Sequence, residues 1–355
     1  MLIYILFYLF VFSLLLFGKY KVIKGVNFYW LTYFFIFLFS AFRYDVGYDF
    51  MYYYKILDKS IKYYDNMFNR LEFLNKIIIN FSQDINFLQL YFIATSFLIV
   101  FLIYKTVKFY SKDFIISTLI FLSFPIFYFN SFSIIRQFVA ISIVFYSFKF
   151  VKSKKLFSFL LSIFIAFFFH KSAVLALPIY WIYRLKLKNI HFIIIYFVGL
   201  FSSEIAYYAV KFIIPEYMVY LEKRIGVGGD KLLIIFQIIG FFLLFLVNKK
   251  KGDNNYNFYI TSFFIGLFIW SSLSPYGHAG FRGGLYFIVF FILLLPEVLE
   301  IIKEKKLLKY TTYCICFIFF VFTLWIGTQN PHKDPNIPYR VYFLTDKNEF
   351  KIDKR

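Results

Sequence analysis

Apolar runs of membrane-spanning length recur along this whole 355-residue chain. Each covers roughly 15–20 residues, and about 20 residues of α-helix cross a hydrocarbon core of about 30 Å. Hydrophobic residues make up 61% of the chain, whereas soluble domains contain roughly 45–50%. Because lipid leaves backbone polar groups without water, such runs fold as helices. The sequence therefore predicts an all-α polytopic membrane protein with about 11–12 transmembrane helices, in a single integral membrane domain over residues 1–355.

The predicted crossings follow one another with mostly short connections. We place them at 2–17, 28–42, 86–104, 114–130, 132–148, 156–170, 172–183, 190–203, 231–247, 256–272, 282–302 and 310–327. The runs 156–170 and 172–183 are short for two full spans, so we expect a broken or re-entrant pair whose backbone is covered by protein. Lysines follow the run 2–17 and none precede it, which predicts a retained first helix with its N-terminus outside.

Basic residues cluster in alternate connections between the apolar runs. Six such connections hold 20 basic and five acidic residues, a net charge of +15, whereas the rest of the chain carries +5. Because positively charged loops stay in the cytoplasm, the clustered side is predicted to be cytoplasmic. Three longer segments then lie outside: an amphipathic loop at 43–85, a loop at 204–230 and an irregular, proline-containing C-terminal tail at 328–355.

Several other classes of protein do not fit this composition. The basic clusters in the connections between apolar runs account for most of the net charge of +20, so we expect no nucleic-acid partner. Cys314 and Cys316 are two residues apart and point to different faces of a helix, which favours neither a disulfide nor a metal site. The chain has no P-loop and no GxGxxG fingerprint, so we expect no nucleotide and no other cofactor.

A few ionisable residues lie at the outer ends of predicted spans. They are Arg43, Asp45, Asp49, Arg136, His170 and Arg282. Charged groups next to lipid are costly and mark functional sites by default. Each also has a structural explanation: an arginine can extend to the headgroups, a histidine can be a satisfied interfacial side chain, and the aspartates can belong to a solvated loop with Arg43 as partner. Gly47, between the two aspartates, instead suggests a turn that lets backbone approach a ligand.

Taken together, these residues favour an anionic substrate. Arginines from three distant segments can converge on one anionic group, and arginine binds phosphate through paired hydrogen bonds. Two carboxylates and a histidine nearby supply candidates for a proton acceptor. The set predicts a phosphorylated lipid substrate at the outer leaflet, with Arg43, Arg136 and Arg282 on its diphosphate.

In these same residues the chain resembles the EpsG family of polysaccharide polymerases. The segment Arg43–Tyr53 is similar to an R-x-x-x-G-x-D-x-x-x-Y element, and Glu72-Phe73 follows it where the family commonly has Glu-Pro. The later elements are Arg136-Gln137-Phe138-Val139-Ala140, then Phe169-His170-Lys171-Ser172-Ala173 with Pro178, then Arg282 with Tyr286-Phe287, and a weaker match at Ile337-Pro338-Tyr339-Arg340. The resemblance spans roughly residues 40–340 and keeps these elements in order.

The resemblance implies a Wzy-type polymerase that joins oligosaccharide units carried on undecaprenyl diphosphate, outside the bacterial inner membrane. The growing glycan would pass from its lipid diphosphate to a hydroxyl of the incoming unit, with inversion, and without a nucleotide sugar or a clearly required metal. Related enzymes have a glycosyltransferase-C-like helical architecture. The implied partners are lipid-linked glycans, the bilayer, and flippase and chain-length regulator proteins.

The identity of the proton acceptor stays open. Analogy with helical glycosyltransferases favours an acid of the first outer loop, Asp45 or Asp49, oriented by Arg43. Histidine is the stronger base, because a carboxylic acid has an ordinary pKa of about 4 and nearby arginines lower it further. The predicted catalytic residues are therefore His170, Asp49 and Asp45. The residues predicted to position the substrate are Gln137, Glu72, Tyr52, Ser172 and Tyr339.

Three alternatives are compatible with a polytopic membrane protein. A membrane O-acyltransferase also uses a histidine, but its acyl donor comes from the cytoplasm, and the predicted topology puts His170 outside. A flippase of lipid-linked oligosaccharides needs a charged path through the membrane, whereas the mid-span stretches are almost uncharged. A non-catalytic scaffold of a glycan assembly complex is also compatible with the sequence.

Overall fold

The computed structural model describes residues 1–213, 215, 218, 230–246, 253–276, 278–301, 305–329 and 336–345. Within these ranges the chain is helical, with short 3-10 helices, an isolated antiparallel bridge and no strand. The helices up to residue 152 are α1 (Leu2–Tyr20), α2 (Phe28–Ala41), α3 (Phe50–Leu57), α4 (Tyr64–Asn69), α5 (Phe73–Asp84), α6 (Leu90–Tyr110), α7 (Phe114–Ser123), α8 (Tyr128–Ser133) and α9 (Ile135–Lys152). The later helices are α10 (Leu156–Phe169), a 3-10 helix (Lys171–Ala176), α11 (Ile179–Ile182), α12 (Asn189–Phe201), α13 (Ser203–Ile213), α14 (Asp230–Leu244), α15 (Asn254–Leu273), α16 (His278–Ile288), α17 (Phe291–Leu299) and α18 (Lys305–Gln329).

Several of these helices are long and apolar enough to cross a membrane. Among the described residues they are α1, α6, α15 and α18, or up to six spans if two bent pairs each count as one. The bent pairs are α12 with α13, at 84°, and α16 with α17, at 54°. Shorter apolar helices of 10–17 residues occupy other predicted crossings, among them α2, α7, α10 and α14. The predicted all-α polytopic membrane fold is confirmed.

Two predicted crossings are interrupted at identifiable positions. The crossing placed at 114–130 stops early, because α7 ends at Ser123 and Phe124 adopts the extended backbone that the following Pro125 favours. The expected break between 156–170 and 172–183 lies at His170, whose backbone is extended between α10 and the 3-10 helix. Protein groups satisfy main-chain carbonyls at both breaks: Phe124 O accepts from Phe127 N–H at 3.0 Å, and Phe169 O accepts from Asn75 Nδ2 at 2.9 Å.

The central span α15 fixes the helix that carries Arg282. It packs against α12, α14, α16 and α17. Glycines allow a close approach to α16, since a Cβ on Gly284 would lie 2.6 Å from the carbonyl oxygen of Gly266. A Cβ on Gly280 would lie 2.9 Å from the carbonyl oxygen of Trp270. Such small-residue contacts hold membrane helices at short range, and here they fix the N-terminal half of α16.

The segment 43–85 folds as a small helical cap with its own apolar core. Helices α3, α4 and α5 form this cap, and its buried residues include Phe50, Tyr53 and Ile79, which cluster with Tyr91 of α6. Tyr342 of the C-terminal tail belongs to the same core. The tail pairs with the start of the cap: Tyr44 N–H donates to Arg340 O at 2.9 Å, and Tyr342 N–H donates to Phe42 O at 2.9 Å.

The segment predicted as a loop at 204–230 begins instead as a helix. Residues 203–213 form α13, which packs on α15. Tyr207 lies 5.1 Å from the ring of Tyr276, and the Tyr276 hydroxyl donates to Glu204 at 3.3 Å. Amphipathic spacing explains this helix, and most of 214–229 lies outside the described residues.

The contacts between connecting segments are consistent with the predicted sidedness, because each joins segments that are predicted to lie on the same side of the membrane. Lys309 pairs with Asp113, and the Tyr183 hydroxyl donates to Asn255 at 3.2 Å, all on the predicted cytoplasmic side. At the opposite end the tail lies against the cap. The two ends of the helix bundle are therefore consistent with the charge pattern.

Candidate active site

Glu72 lies at the centre of a polar cluster between three elements. It precedes α5 as its N-cap residue, yet its side chain makes no capping hydrogen bond and is only 8% exposed. One carboxylate oxygen pairs with Arg136 Nη1, and the other lies 3.1 Å from His170 Nδ1. Burial raises the pKa of Glu72, but the hydrogen bond with His170 and the charge of Arg136 outweigh burial, so the net pKa is lowered. Glu72 is therefore an ionised carboxylate that holds both neighbours.

The contact with Glu72 fixes the protonation pattern of the His170 ring. An ionised carboxylate accepts a hydrogen bond, so Nδ1 carries a proton, and the neutral tautomer that this contact selects has its lone pair on Nε2. The imidazole is 23% exposed, and Nε2 makes no hydrogen bond to any described residue. The Nε2 side of His170 is thus open, and the Nδ1 contact with Glu72 is the arrangement in which a carboxylate orients a catalytic histidine.

Arg136 is held on two sides, in the first turn of α9. Besides its pair with Glu72, its Nε donates to the Tyr53 hydroxyl at 2.5 Å, and its guanidinium lies 5.8 Å from the Tyr53 ring centroid. Burial raises the pKa of Tyr53, so the phenol stays neutral. Glu72 and Tyr53 together fix the orientation of this arginine.

Asn75 fixes the position of α5 against α10. Its side chain is fully buried; Nδ2 donates to Phe169 O at 2.9 Å, and Oδ1 accepts from the Tyr91 hydroxyl at 3.2 Å. Phe169 directly precedes His170, and Asn75 is one helical turn from Glu72. This contact therefore keeps Glu72 and His170 in register.

Asp49 and Arg282 complete the cluster. Asp49 precedes α3, is half-buried and makes no side-chain hydrogen bond to the described residues. Burial raises its pKa to about 6, while the charges of Arg282 and Arg136 act in the opposite direction. The arginines act on this pKa in the expected direction, but the expected net result, a base weaker than an ordinary carboxylate, is wrong because burial is the larger effect. Both arginines lie within electrostatic range of this carboxyl group.

The guanidinium of Arg282 is available to a ligand. It forms neither a hydrogen bond nor an ion pair with the described part of the chain. Its main-chain carbonyl accepts from Gln137 Nε2 at 2.8 Å, which joins the first turn of α9 to the N-terminal half of α16. Gln137 is buried, so its role in the structure is to tie Arg136 and Arg282 to the same end of the bundle.

Arg43 is not among the side chains that meet here. It is 1% exposed, Nε donates to Val46 O at 3.2 Å, and Nη1 donates to Ser96 Oγ at 3.2 Å and to a main-chain carbonyl. Its guanidinium lies 4.7 Å from the Phe132 ring. Burial lowers its pKa to about 10, so the group is still charged at neutral pH. This placement does not fit the predicted role on a diphosphate, because protein groups already surround the guanidinium.

Asp45 and Tyr339 also lie elsewhere, where they anchor the tail. Asp45 pairs with Arg340 Nη1 at 2.5 Å, so Arg340, not Arg43, is its partner. The Tyr339 hydroxyl donates to Phe39 O at 2.7 Å, and its ring stacks on Phe39. Gly47 has a φ of +97°, and a Cβ there would lie 2.2 Å from Phe132 O. The close approach that this glycine permits is to protein backbone.

Two predicted positioning residues lie at the edges of the cluster. The Tyr52 hydroxyl contacts the sulfur of Met67 at 3.9 Å, and the adjacent Tyr53 is the tyrosine that contacts Arg136. Ser172 Oγ lies 3.0 Å from the Tyr286 hydroxyl, which ties the 3-10 helix after His170 to α16.

The sequence model of the EpsG family matches residues 26–341, a range that includes every residue of this cluster. The chain belongs to the EpsG family. Membership suggests a polysaccharide polymerase-type role. A search of curated proteins and a search of solved structures each found no match. The resemblance to EpsG proteins is thus confirmed, and the glycosyltransferase-C-like architecture stays a prediction.

Two residues of this EpsG-family site, Tyr53 and Asn75, and one of the tail, Arg340, were not predicted as contacts. Tyr53 closes the first family element and was passed over for its neighbour Tyr52. Asn75 is a polar residue one turn from Glu72 on a face that buries Ile79, a signal that was readable in the sequence. Arg340 lies in the tail element, but nothing in the sequence pairs it with Asp45.

Replacing Asp49 with asparagine is expected to raise the melting temperature at pH 7.5 and not at pH 4. The folded pKa of about 6 lies above the ordinary value of 3.8, so the folded protein keeps this proton longer than the unfolded chain. The group's stabilising contribution is therefore full below about pH 4 and is lost as the pH rises through about 6. Melting curves of wild type and variant from pH 4 to 8 measure the difference, with the exposed Asp84→Asn as control. A difference that shrinks as the pH rises would contradict the raised pKa.

Replacing Asp45 with asparagine is expected to leave polymer formation intact. The Asp45–Arg340 pair is 29% exposed on both sides, so its loss lowers the free energy of unfolding by at most about 1 kcal/mol. Arg340→Ala should have a similar effect, and the double variant should lose little more than either single variant. Melting temperature and surface-glycan content check this; a stable Asp45→Asn protein without polymer would return Asp45 to the site.

Proposed function

We propose that this EpsG-family protein is a glycosyltransferase that polymerises undecaprenyl-diphosphate-linked repeat units into a surface polysaccharide. The observation that carries the proposal is the Glu72–His170 pair, bonded to Arg136. Asp49, within electrostatic range of Arg136, is also within range of the Arg282 guanidinium, which has no partner in the described part of the chain. Sugar transfer from a lipid diphosphate needs a base for the acceptor hydroxyl and positive charge for the leaving group. Both requirements are met within one end of the bundle.

In the proposed reaction His170 acts as the base. Its Nε2 takes the proton of the acceptor hydroxyl while that oxygen bonds to the anomeric carbon of the growing chain. The bond from the anomeric carbon to the diphosphate oxygen breaks, and the lipid diphosphate leaves with the electron pair. A single displacement of this kind inverts the configuration. Glu72 stabilises the imidazolium that forms, as carboxylates do in other histidine-based sites.

The other members of the cluster take roles that follow from their contacts. Arg282 binds the diphosphate directly, because its guanidinium is available and arginine matches phosphate oxygens in pairs. Arg136, already paired with Glu72, adds positive charge and orients the carboxylate. Asp49 lies near both arginines and accepts hydrogen bonds from the sugar of the acceptor. Gln137, Ser172 and Tyr53 position these groups without a chemical step of their own.

We place this site on the outer face of the bacterial inner membrane. The cap and the tail lie together at the end of the bundle opposite the basic connections, which carry +15 against +5 elsewhere. A flippase would then deliver the lipid-linked units, and a chain-length regulator would act on the product. In spheroplasts of a Cys314→Ser strain, a membrane-impermeant maleimide should label Ser60→Cys and not Lys154→Cys. The reverse pattern would overturn both the topology and the mechanism.

A deletion strain separates the proposed activity from its alternatives. A polymerase mutant accumulates single lipid-linked repeat units on the outer side, and its surface glycan loses the long polymer. Accumulation on the cytoplasmic side would indicate a flippase, and full-length polymer without acyl groups would indicate an O-acyltransferase. Lipid-linked glycans profiled with and without the gene, and with the gene restored, give the answer.

A further inference from the structure

Helix α5 turns an apolar row away from the protein. Phe73, Ile77 and Phe81 recur every four residues and are 58%, 47% and 57% exposed, and Ile85 extends the row at 48%. Residues at this spacing lie one above another on the same side of a helix. The face that α5 buries against the protein is a different one, with Asn75, Ile79 and Ser82. An exposed apolar row on a segment outside the spans marks an interaction surface.

A second row on the same helix is polar. Lys76, Asn80 and Asp84 also recur every four residues, about 100° around the helix from the apolar row. Asn80 and Asp84 are exposed. Helix α5 therefore has one face on the protein, one apolar face and one polar face. A helix that lies in the plane of a membrane surface has this division, with its apolar face among the acyl chains and its polar face in water.

The apolar row continues the lipid-facing surface of α10. Phe73 packs edge-on against Phe168 at the end of α10, with ring centroids 5.7 Å apart. Along α10, Phe157, Leu161 and Phe164 are 80%, 48% and 57% exposed. Exposed residues of this kind on an apolar helix belong in hydrocarbon, so the row on α5 begins where that surface ends.

The length of α10 sets the depth of α5. Fourteen residues at 1.5 Å each make a helix of about 21 Å, shorter than a hydrocarbon core of about 30 Å. The last carbonyls of such a helix have little water to bond. Asn75 of α5 supplies a donor to Phe169 O at 2.9 Å. Asn75 thus caps the C-terminal end of α10, and α5 lies at the same depth in the membrane as that end.

We propose that α5 is an interfacial helix whose row of Phe73, Ile77, Phe81 and Ile85 inserts among the acyl chains of the adjacent leaflet. The occupant of this surface is the bilayer, because the row is continuous with α10 and is flanked by a polar row for the headgroup side. Glu72 at the start of α5 and His170 at the end of α10 then lie at the level of the lipid phosphates. The insertion itself does not depend on the proposed function.

Spin labels on α5 test this placement in the full-length protein reconstituted in phosphatidylethanolamine–phosphatidylglycerol nanodiscs. Cys314 is replaced with serine, and the buried Cys316 is kept. Labels at Ile77→Cys and Phe81→Cys are compared with labels at Asn80→Cys and Asp84→Cys, which are exposed on the same helix, and with Phe164→Cys on α10. Collision with oxygen reports lipid, and collision with a neutral nickel chelate reports water.

The proposal predicts opposite accessibilities for the two rows. Labels at Ile77 and Phe81 should collide often with oxygen and rarely with nickel, like the label at Phe164, and labels at Asn80 and Asp84 should show the reverse. Equal nickel access at Ile77 and Asn80 would put the row in water and overturn the proposal. Exclusion of both reagents from Ile77 and Phe81 would also overturn it, because a protein would then cover the row.

Discussion

Cells that carry His170→Ala are expected to lose polymer and to accumulate single lipid-linked repeat units. A positioned acid–base group contributes about 100- to 10,000-fold to a rate, so loss of Nε2 should slow chain growth by that order. Glu72→Gln should slow it comparably, because a neutral amide no longer fixes the proton on His170 Nδ1. The double variant should be little worse than either single variant, since the two residues act as one unit. Lipid-linked glycan profiling at matched protein levels measures all three.

The controls for this result lie on the same helix and at the competing base. Asp84→Asn changes an exposed acid of α5 and should polymerise normally. Asp49→Asn should slow polymerisation less than His170→Ala, since Asp49 is assigned to binding. Normal chain growth in His170→Ala together with none in Asp49→Asn would make Asp49 the base. Melting temperatures distinguish loss of chemistry from loss of folding.

Replacing Arg282 with alanine is expected to lower the polymerisation rate by about 100- to 1,000-fold, as for loss of a donor to developing negative charge. Arg282→Lys should recover only part of this loss, because lysine keeps the charge without the paired donors. Neither change should lower the melting temperature much, since the guanidinium has no partner in the described part of the chain. Rates with purified protein and lipid-linked substrate, together with melting curves, test both statements.

Arg136→Lys supplies the contrast. That arginine is bonded to Glu72 and Tyr53, so its replacement should lower stability as well as activity. The loss of stability should stay below the roughly 3–5 kcal/mol of a fully buried pair, because Arg136 is 23% exposed. Arg184→Lys, in a basic connection at the other end of the bundle, is the matched control. Full activity in Arg282→Lys would remove the argument for paired phosphate binding.

The membrane fold and part of the site could be predicted from residue types and their spacing. Apolar runs and basic clusters are one-dimensional patterns, and a lipid environment converts them directly into helices and sidedness. Arg136 and His170 were found because each lies in a family element at the end of a predicted span, and Glu72 because it occupies the acidic position that follows the first family element. Their mutual contacts were not readable, since nothing in the sequence says that the N-terminus of α5 meets the break after α10.

The different environments of the arginines could not be predicted from the sequence. Arg43 and Arg282 each directly follow a phenylalanine near the end of a predicted span. Only the packing shows that the Arg43 guanidinium is buried against the ring of Phe132. Asp45 and Asp49 would share a face of a helix, but Asp45 has a φ of 50° and Gly47 a φ of 97°, so no helix joins them. Turns at these left-handed residues therefore separate two acids that the sequence left as equal candidates for the base.

Reconstitution of chain growth from purified components tests the central claim most directly. Single lipid-linked repeat units extracted from the deletion strain are added to the purified protein in nanodiscs, without nucleotide sugars. The account predicts a ladder of longer lipid-linked glycans with release of undecaprenyl diphosphate, and no ladder with His170→Ala or Glu72→Gln. A wild-type protein that leaves the single units unchanged, or a ladder that persists in both variants, would contradict it.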